Sequence, residues 1–329
     1  MCLVRVPGLR GPRQVKPALL AAGAVVLIIA AVLGASLLPP SGAGSGPSTA
    51  GSVNSSARSL PWPREGQTSV LVEGLGARGE LGTKGTQTPV PIASVTKVMT
   101  AYVILRAHPL RAGESGPDIT VDQQAAAESV SSVESSVPVR EGQRLSERRL
   151  LELLLIPSGN NIARLLARWD AGSQEAFAKK MNRAARALGM RRTTYTSASG
   201  LAPTTTSTSA DQLKLARQVM RDEVFRSIVA MPSTTAPDRP GRISNSNALL
   251  GTAGVIGVKT GSSTPAGGNL MWAATAPDGS GRDRLVLGVV LRQAAGTSPQ
   301  QGLQAAFAHS SALIKGVRQW LKTTEAGTR

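Results

Sequence analysis

A serine three residues ahead of a lysine occurs once in this sequence, at Ser94-Val95-Thr96-Lys97, and none of the other eight lysines has that arrangement. On a helix, residues three apart share a face, so the hydroxyl and the amine can meet. A buried ammonium beside other cations gives up its proton near neutral pH and can then activate a hydroxyl as a nucleophile. Further on, Ser158-Gly159-Asn160 follows Pro157 between two helical stretches and can present a hydroxyl and an amide to a cleft. The same residues have a plainer use, since Asn160 or Asn161 would serve as the N-cap of the next helix. Lys259-Thr260-Gly261 ends an apolar run of strand character, with residues 259 and 261 on one side and 260 on the other. Gly261 there lets a substrate backbone come close. A nucleophile, a base, a second hydroxyl, an amide and a strand-borne ammonium together suit acyl transfer through a covalent ester.

The elements that must carry these groups follow from periodicity. Residues 69–72 and the Gly-rich stretch after them read as a strand and turn. Residues 93–106 read as a helix with Ser94 at its start, where free backbone amides face developing negative charge. Helices are also expected at 145–156, 161–169, 174–188 and 210–220. The period then changes: 256–260, 270–276 and 285–291 read as antiparallel strands, before an amphipathic helix at 299–321. Strands at both ends with helices between them predict an α+β fold. Its antiparallel sheet is flanked by helices, with a helical subdomain inserted.

Composition and the N-terminus set the context. Residues 18–38 form an uncharged run of 21, long enough for a membrane helix, preceded by Arg5, Arg10, Arg13 and Lys16. The expected organisation is a basic cytoplasmic tail at 1–16 and a transmembrane anchor or signal segment at 17–38. A Pro/Gly/Ser-rich linker at 39–60 and a globular domain at 61–323 follow. Length and flanks favour an uncleaved single-pass anchor with the domain extracytoplasmic; cleavage would instead release a secreted domain. The one cysteine, Cys2, precedes the span, so the exported part has no disulfide. One cysteine and two separated histidines exclude a usual zinc site, and no cofactor is expected. The charge of +17 either suits an anionic envelope polymer or lipid headgroups or simply aids solubility; without aromatic-interleaved basic stretches, nucleic acid is not an expected partner.

Taken together, the three strings resemble those of the low-molecular-weight penicillin-binding proteins, serine D-alanyl-D-alanine carboxypeptidases. The likeness extends to their surroundings: Ala93 to Tyr102, Leu154 to Asn161, and Gly257 to Gly261 followed by Ala266-Gly267. It covers about residues 61–323, with 64 and 101 residues between motif starts at 94, 158 and 259. The resemblance implies a β-lactamase/DD-peptidase-like fold, peptidoglycan stem peptides as substrate and β-lactams as inhibitors. It casts Ser94 as nucleophile, Lys97 as general base and Ser158 as proton relay to the leaving amine. Asn160 would hold the substrate amide, Lys259 would supply positive potential, and Thr260 would touch the substrate carboxylate. Gly261 lies beside them, and the amides of Ser94 and Ser262 would form the oxyanion hole. Many relatives carry a second, all-β domain and a C-terminal anchor, for which residues beyond 323 leave no room; the N-terminal span is expected to replace the anchor. Where relatives have an arginine, Ser244-Asn245-Ser246-Asn247 offers none, and Arg292 is the substitute proposed for the carboxylate.

Two other functions compete. A β-lactamase needs a carboxylate to activate the deacylating water, and Glu175 lies in the right region without the surrounding pattern. A non-hydrolytic penicillin-binding or wall-binding protein is the other, though a tail of 16 residues leaves no room for a cytoplasmic signalling domain. A Ser-His-Asp hydrolase is disfavoured by the absence of G-x-S-x-G.

Overall fold

A computed structural model describes residues 59–75, 79–238 and 240–324. The chain enters through β1 (Gln67–Val72), β2 (Glu80–Lys84) and the short β3 (Val90–Pro91), and a 3-10 turn (Ala93–Val95) leads into α1 (Thr96–Ala107). A helical region follows. It comprises β4 (Asp118–Thr120), α2 (Gln123–Glu128), β5 (Arg144–Ser146), α3 (Glu147–Leu155), α4 (Asn160–Ala171) and α5 (Gln174–Ala187). Next come β6 (Thr206–Ser207), α6 (Ser209–Val219), α7 (Glu223–Val229), β7 (Ser233–Thr235) and β8 (Arg242–Ser244). Three long strands, β9 (Val255–Ser263), β10 (Gly267–Pro277) and β11 (Asp283–Gln293), and the helix α8 (Pro299–Thr323) complete the described chain.

The main sheet has the order β2-β1-β11-β10-β9 and is antiparallel throughout. β1 pairs with β11 from Gln67↔Leu291 to Val72↔Val286, which joins the first strands to the last and leaves the helical region between them. Side chains alternate along β10. Leu270, Trp272, Ala274 and Ala276 pack under α8, whose Leu313, Ile314, Val317, Trp320 and Leu321 form one helical stripe. Met271 and Ala273 face the opposite way, into the larger core built with α1, α3, α4 and α6. α8 starts sharply because Ser298 and Gln301 make a reciprocal capping box ahead of Pro299. This is an α+β fold, as expected.

Some boundaries differ from the sequence reading. The helix expected from residue 93 begins at Thr96, because Ala93 adopts φ 46° and the next residues form the 3-10 turn. The helix expected from 145 begins at Glu147, because residues 144–146 pair with β4 and the Ser146 hydroxyl then caps α3 by accepting from the Arg149 amide. The short α2, α7 and two-stranded ribbons were not expected; they span too few residues to show a period. Leu60, placed at the end of the linker, is buried in the core under α8. The tail at 1–16 and the span at 17–38 lie outside the described residues, as does the linker except for Ser59 and Leu60. No helix among the described residues is long and apolar enough to cross a membrane.

One buried charge is conspicuous. Glu147, the first residue of α3, is buried, and neither carboxylate oxygen has a hydrogen-bond partner among the described residues. Burial pushes its carboxyl from the ordinary 4.5 up to about 7. The folded chain therefore holds this proton more tightly than the unfolded chain does. The associated stability is full below about pH 4.5 and is lost as pH rises to about 7. Its place at a helix N-terminus offsets part of the cost of ionisation. Glu147→Gln should raise stability at pH 8 by on the order of 1 kcal/mol, a Tm gain of roughly 2–4 °C, and by less at pH 5. Thermal melts at the two pH values check this; equal or lower Tm at pH 8 contradicts it.

Candidate active site

Three segments meet where α1 begins. The 3-10 turn carries half-buried Ser94 and hands the chain to α1, whose first turn holds Lys97 with 0% exposure. β9 runs against this turn. A Cβ at Gly261 would lie 2.9 Å from the Ser94 amide nitrogen and 2.8 Å from that of Val95, so only glycine lets the strand approach so closely. Gly261 thus brings β9 beside the Ser94 amide, and Ser262, paired with Gly268, is the next residue along the strand. From the helical region the turn between α3 and α4 brings Ser158, Gly159 and Asn160. A Cβ on Gly159 would meet Val137 at 2.8 Å and Ile162 at 2.9 Å, so this residue too must be glycine.

Lys97 is the hub. Its Nζ lies 2.8 Å from Ser94 Oγ, 2.6 Å from Asn160 Oδ1 and 3.0 Å from the Ser199 carbonyl oxygen. The last two atoms can only accept, so each takes an N–H. As an ammonium, Lys97 gives its third N–H to Ser94. As a free amine, it points its lone pair at Ser94 Oγ and can accept that hydroxyl's proton. Burial drives the Lys97 pKa well below its ordinary value, with Lys259 and Arg164 reinforcing the shift and Glu134 opposing it. The free amine is therefore accessible without extreme alkali, and the geometry aims it at one hydroxyl.

The other expected residues are placed as follows. Asn160 opens α4 but does not cap it; Gly159 occupies the N-cap position. The capping use is overturned because Asn160 turns its side chain to Lys97 through Oδ1 and to Glu134 through Nδ2 (2.9 Å). Asn161 instead pins a loop, accepting from the Val137 amide and donating to the Ala125 and Val137 carbonyls. Ser158 is buried at φ 70°, and its Oγ makes no hydrogen bond to a described residue, so it is near the hub without joining it. Lys259 is buried, its pKa pushed down to about 7 by desolvation, and its Nζ donates to the Thr260 carbonyl at 3.0 Å. Thr260 Oγ1 lies 2.7 Å from Ser246 Oγ, so the arginine-free segment does reach the strand. Arg292, exposed at the end of β11 with φ 60°, donates its amide to Asn269 Oδ1, and Asn269 pairs with Gly261. It stands at the same end of the sheet, two strands away. Glu175 lies exposed on the first turn of α5, outside this network. Among the described residues, no cluster of three His, Cys, Asp or Glu side chains could hold a metal ion.

Sequence reasoning missed Ser199, Glu134 and Arg164. Ser199 contributes only a backbone carbonyl, held in place because Thr100 Oγ1 donates to the neighbouring Ala198 carbonyl at 2.7 Å. Glu134 and Arg164 sit on a loop and on a helix face whose polar residues look solvent-facing in sequence.

Comparison with known proteins points to one family. A family profile described as D-alanyl-D-alanine carboxypeptidase matches residues 66–293. The chain is 34% identical over 211 residues to a Streptomyces D-alanyl-D-alanine carboxypeptidase, covering 59% of this chain and 72% of that protein. It is 32% identical over 240 residues to a D-alanyl-D-alanine carboxypeptidase of Mycobacterium tuberculosis, covering 71% and 78%. It spans about half the length of the Escherichia coli carboxypeptidases that it also matches. The crystal structure of a Streptomyces DD-transpeptidase superposes with a TM-score of 0.64 at 29% identity, covering 76% of this chain and 95% of that one. The profile match runs through most of the chain, and the protein belongs to the D-alanyl-D-alanine carboxypeptidase family.

Proposed function

We propose that this protein is a serine-type D-alanyl-D-alanine carboxypeptidase that trims peptidoglycan stem peptides through an acyl-enzyme. The observation that carries the reading is the buried Lys97 amine, 2.8 Å from Ser94 Oγ, with its other two contacts to acceptor-only atoms. In the forward reaction the Lys97 lone pair takes the Ser94 proton as Oγ bonds to the carbonyl carbon of the penultimate D-alanine. The oxyanion forms against the amides of Ser94 and Ser262, donors that contribute a few kcal/mol each in comparable sites. Collapse breaks the C–N bond as Ser158 gives its proton to the departing amine and takes in its place the proton that Lys97 drew from Ser94, which returns Lys97 to the free amine. Water then cleaves the ester. Asn160 Nδ2 keeps one N–H for the substrate amide, and Lys259, Thr260 and Arg292 supply the pole for the terminal carboxylate. β-Lactams acylate the same serine.

The carboxylate bonded to the hub's Asn160 is Glu134, and both of its oxygens are already bonded, to Arg164 and Asn160. No free carboxylate among the described residues is poised there to activate a deacylating water. A D-Ala-D-Ala peptide should release D-alanine with repeated turnover, because its leaving amine departs and admits water. A penicilloyl adduct keeps its leaving amine tethered beside the ester and, with no activating carboxylate, should persist for minutes or longer. Mass spectrometry of both reactions decides: fast β-lactam turnover without D-alanine release favours a β-lactamase, and no reaction with either favours a binding protein.

The place of action follows from the N-terminal sequence. The basic tail and the uncharged segment at 17–38 support a single-pass membrane anchor, with the catalytic domain outside the cell membrane and tethered by the linker. Protease added to intact cells should digest the domain; digestion only after lysis would reverse the orientation.

A further inference from the structure

The hub is enclosed by a second layer of charge that reaches it through Asn160. Glu134 sits in the loop between α2 and β5. Its Oε2 accepts from Asn160 Nδ2 at 2.9 Å and from Arg164 Nη1 at 3.2 Å, and its Oε1 accepts from Arg164 Nη2 at 2.5 Å. Arg164, one turn along α4 from Asn160, also donates its Nε to Glu128 at 2.7 Å. The Glu134 side chain is 9% exposed and that of Arg164 13%. The loop itself is fastened to α4, since the Asn160 amide donates to the Ser135 carbonyl at 2.8 Å and Asn161 brackets Val137. The Asn160 bond to Ser135 is a backbone contact, so the loop's place against α4 does not depend on the Glu134 side chain.

An amide can be turned two ways, and what faces it selects one. A carboxylate only accepts, so Glu134 draws the Nδ2 end of Asn160 to itself and turns Oδ1 to Lys97. That orientation matters for the base. With Oδ1 facing it, Lys97 spends an N–H on Asn160 and another on the Ser199 carbonyl, which leaves its lone pair for Ser94. The reversed amide would offer N–H to Lys97, and the lone pair would be consumed there. We propose that Glu134, clamped by Arg164, is a positioning residue that locks the Asn160 amide so that the free Lys97 amine can act only on Ser94. The inference rests on the acyl-transfer function proposed above.

Glutamine at 134 preserves size but can present either end to Asn160, so the lock is lost. Acylation of the full chain by a fluorescent penicillin, followed by stopped flow from pH 5 to 10, reads the effect. Glu134→Gln should lower the plateau rate by at least about tenfold, a fraction of the 10²–10⁴ that general-base help supplies. The charged groups facing Lys97 are Lys259 on β9, Arg164 on α4 and Glu134 on its loop. Removing the one negative charge moves the acid limb of the profile to lower pH, a displacement that a packing defect would not produce. In an Asn160→Asp background, where residue 160 can no longer be reversed and would repel Glu134, Glu134→Gln should raise the rate instead of lowering it. A Glu134→Gln rate within twofold of wild type at every pH overturns the proposal. So does a lowered plateau with an unmoved acid limb, or a loss of the same size in both backgrounds. Adduct formation by the unaltered protein tests the functional reading separately: its failure would refute acyl transfer itself.

Discussion

Ser94→Ala protein incubated with penicillin should show no mass increase, and its release of D-alanine from a D-Ala-D-Ala peptide should fall to background. Ser94 Oγ is the only hydroxyl bonded to the Lys97 amine among the described residues. Ser158 is no substitute nucleophile, because its buried Oγ has no bond to either lysine. Removing the nucleophile of a serine acyl-enzyme costs on the order of a millionfold in turnover. The change deletes one half-buried hydroxyl, so the Tm should stay within a few degrees of the parent. Intact-mass spectrometry after penicillin treatment is decisive: a Ser94→Ala variant that is still acylated would move the nucleophile elsewhere.

The second large effect is on the base. Lys97→Arg keeps a positive charge, but a guanidinium does not lose its proton in a protein and so offers no lone pair. Acylation should drop by at least about a hundredfold, the usual scale of lost general-base help. A rate within threefold of wild type would rule out the role. The pH profile separates lost basicity from mere crowding. Burial and the charge of Lys259 depress the Lys97 pKa, so wild-type acylation should rise with pH through that lowered value and level off once the amine is neutral. The arginine variant should lose this limb, whereas a variant that was only misfitted would keep it.

Much of this was legible before any fold was known. The strands at 69–72, 270–276 and 285–291 are apolar runs bounded by Gly, Pro and Asp. The longer helices other than α1, which is buried nearly all round, carry a 3.6-residue stripe. Local chain chemistry therefore writes them into the sequence. The Ser94–Lys97 pair was equally readable, because three residues on a helical turn suffice to bring the groups together. Other features had no local signature. α2 and α7 are too short for periodicity, and the 3-10 turn at Ser94 follows an Ala93 at φ 46°, which no residue pattern announces.

By itself, then, the sequence determined the candidate reacting groups, the sheet-helix-sheet order and the acyl-transfer reading. These rest on residue type and on spacings within one element. Only the tertiary structure decided how the groups work together. It packed Gly261 of β9 against the Ser94 turn across more than 160 residues of chain, buried Lys97 completely, and supplied the Ser199 carbonyl. It also chose between two uses of Asn160, cap or hub, by setting Glu134 and Arg164 beside it. The physical reason is common to all of these. A buried amine's proton affinity, and the direction of its lone pair, depend on which charges and acceptors surround it in space, and those neighbours come from segments far apart in sequence.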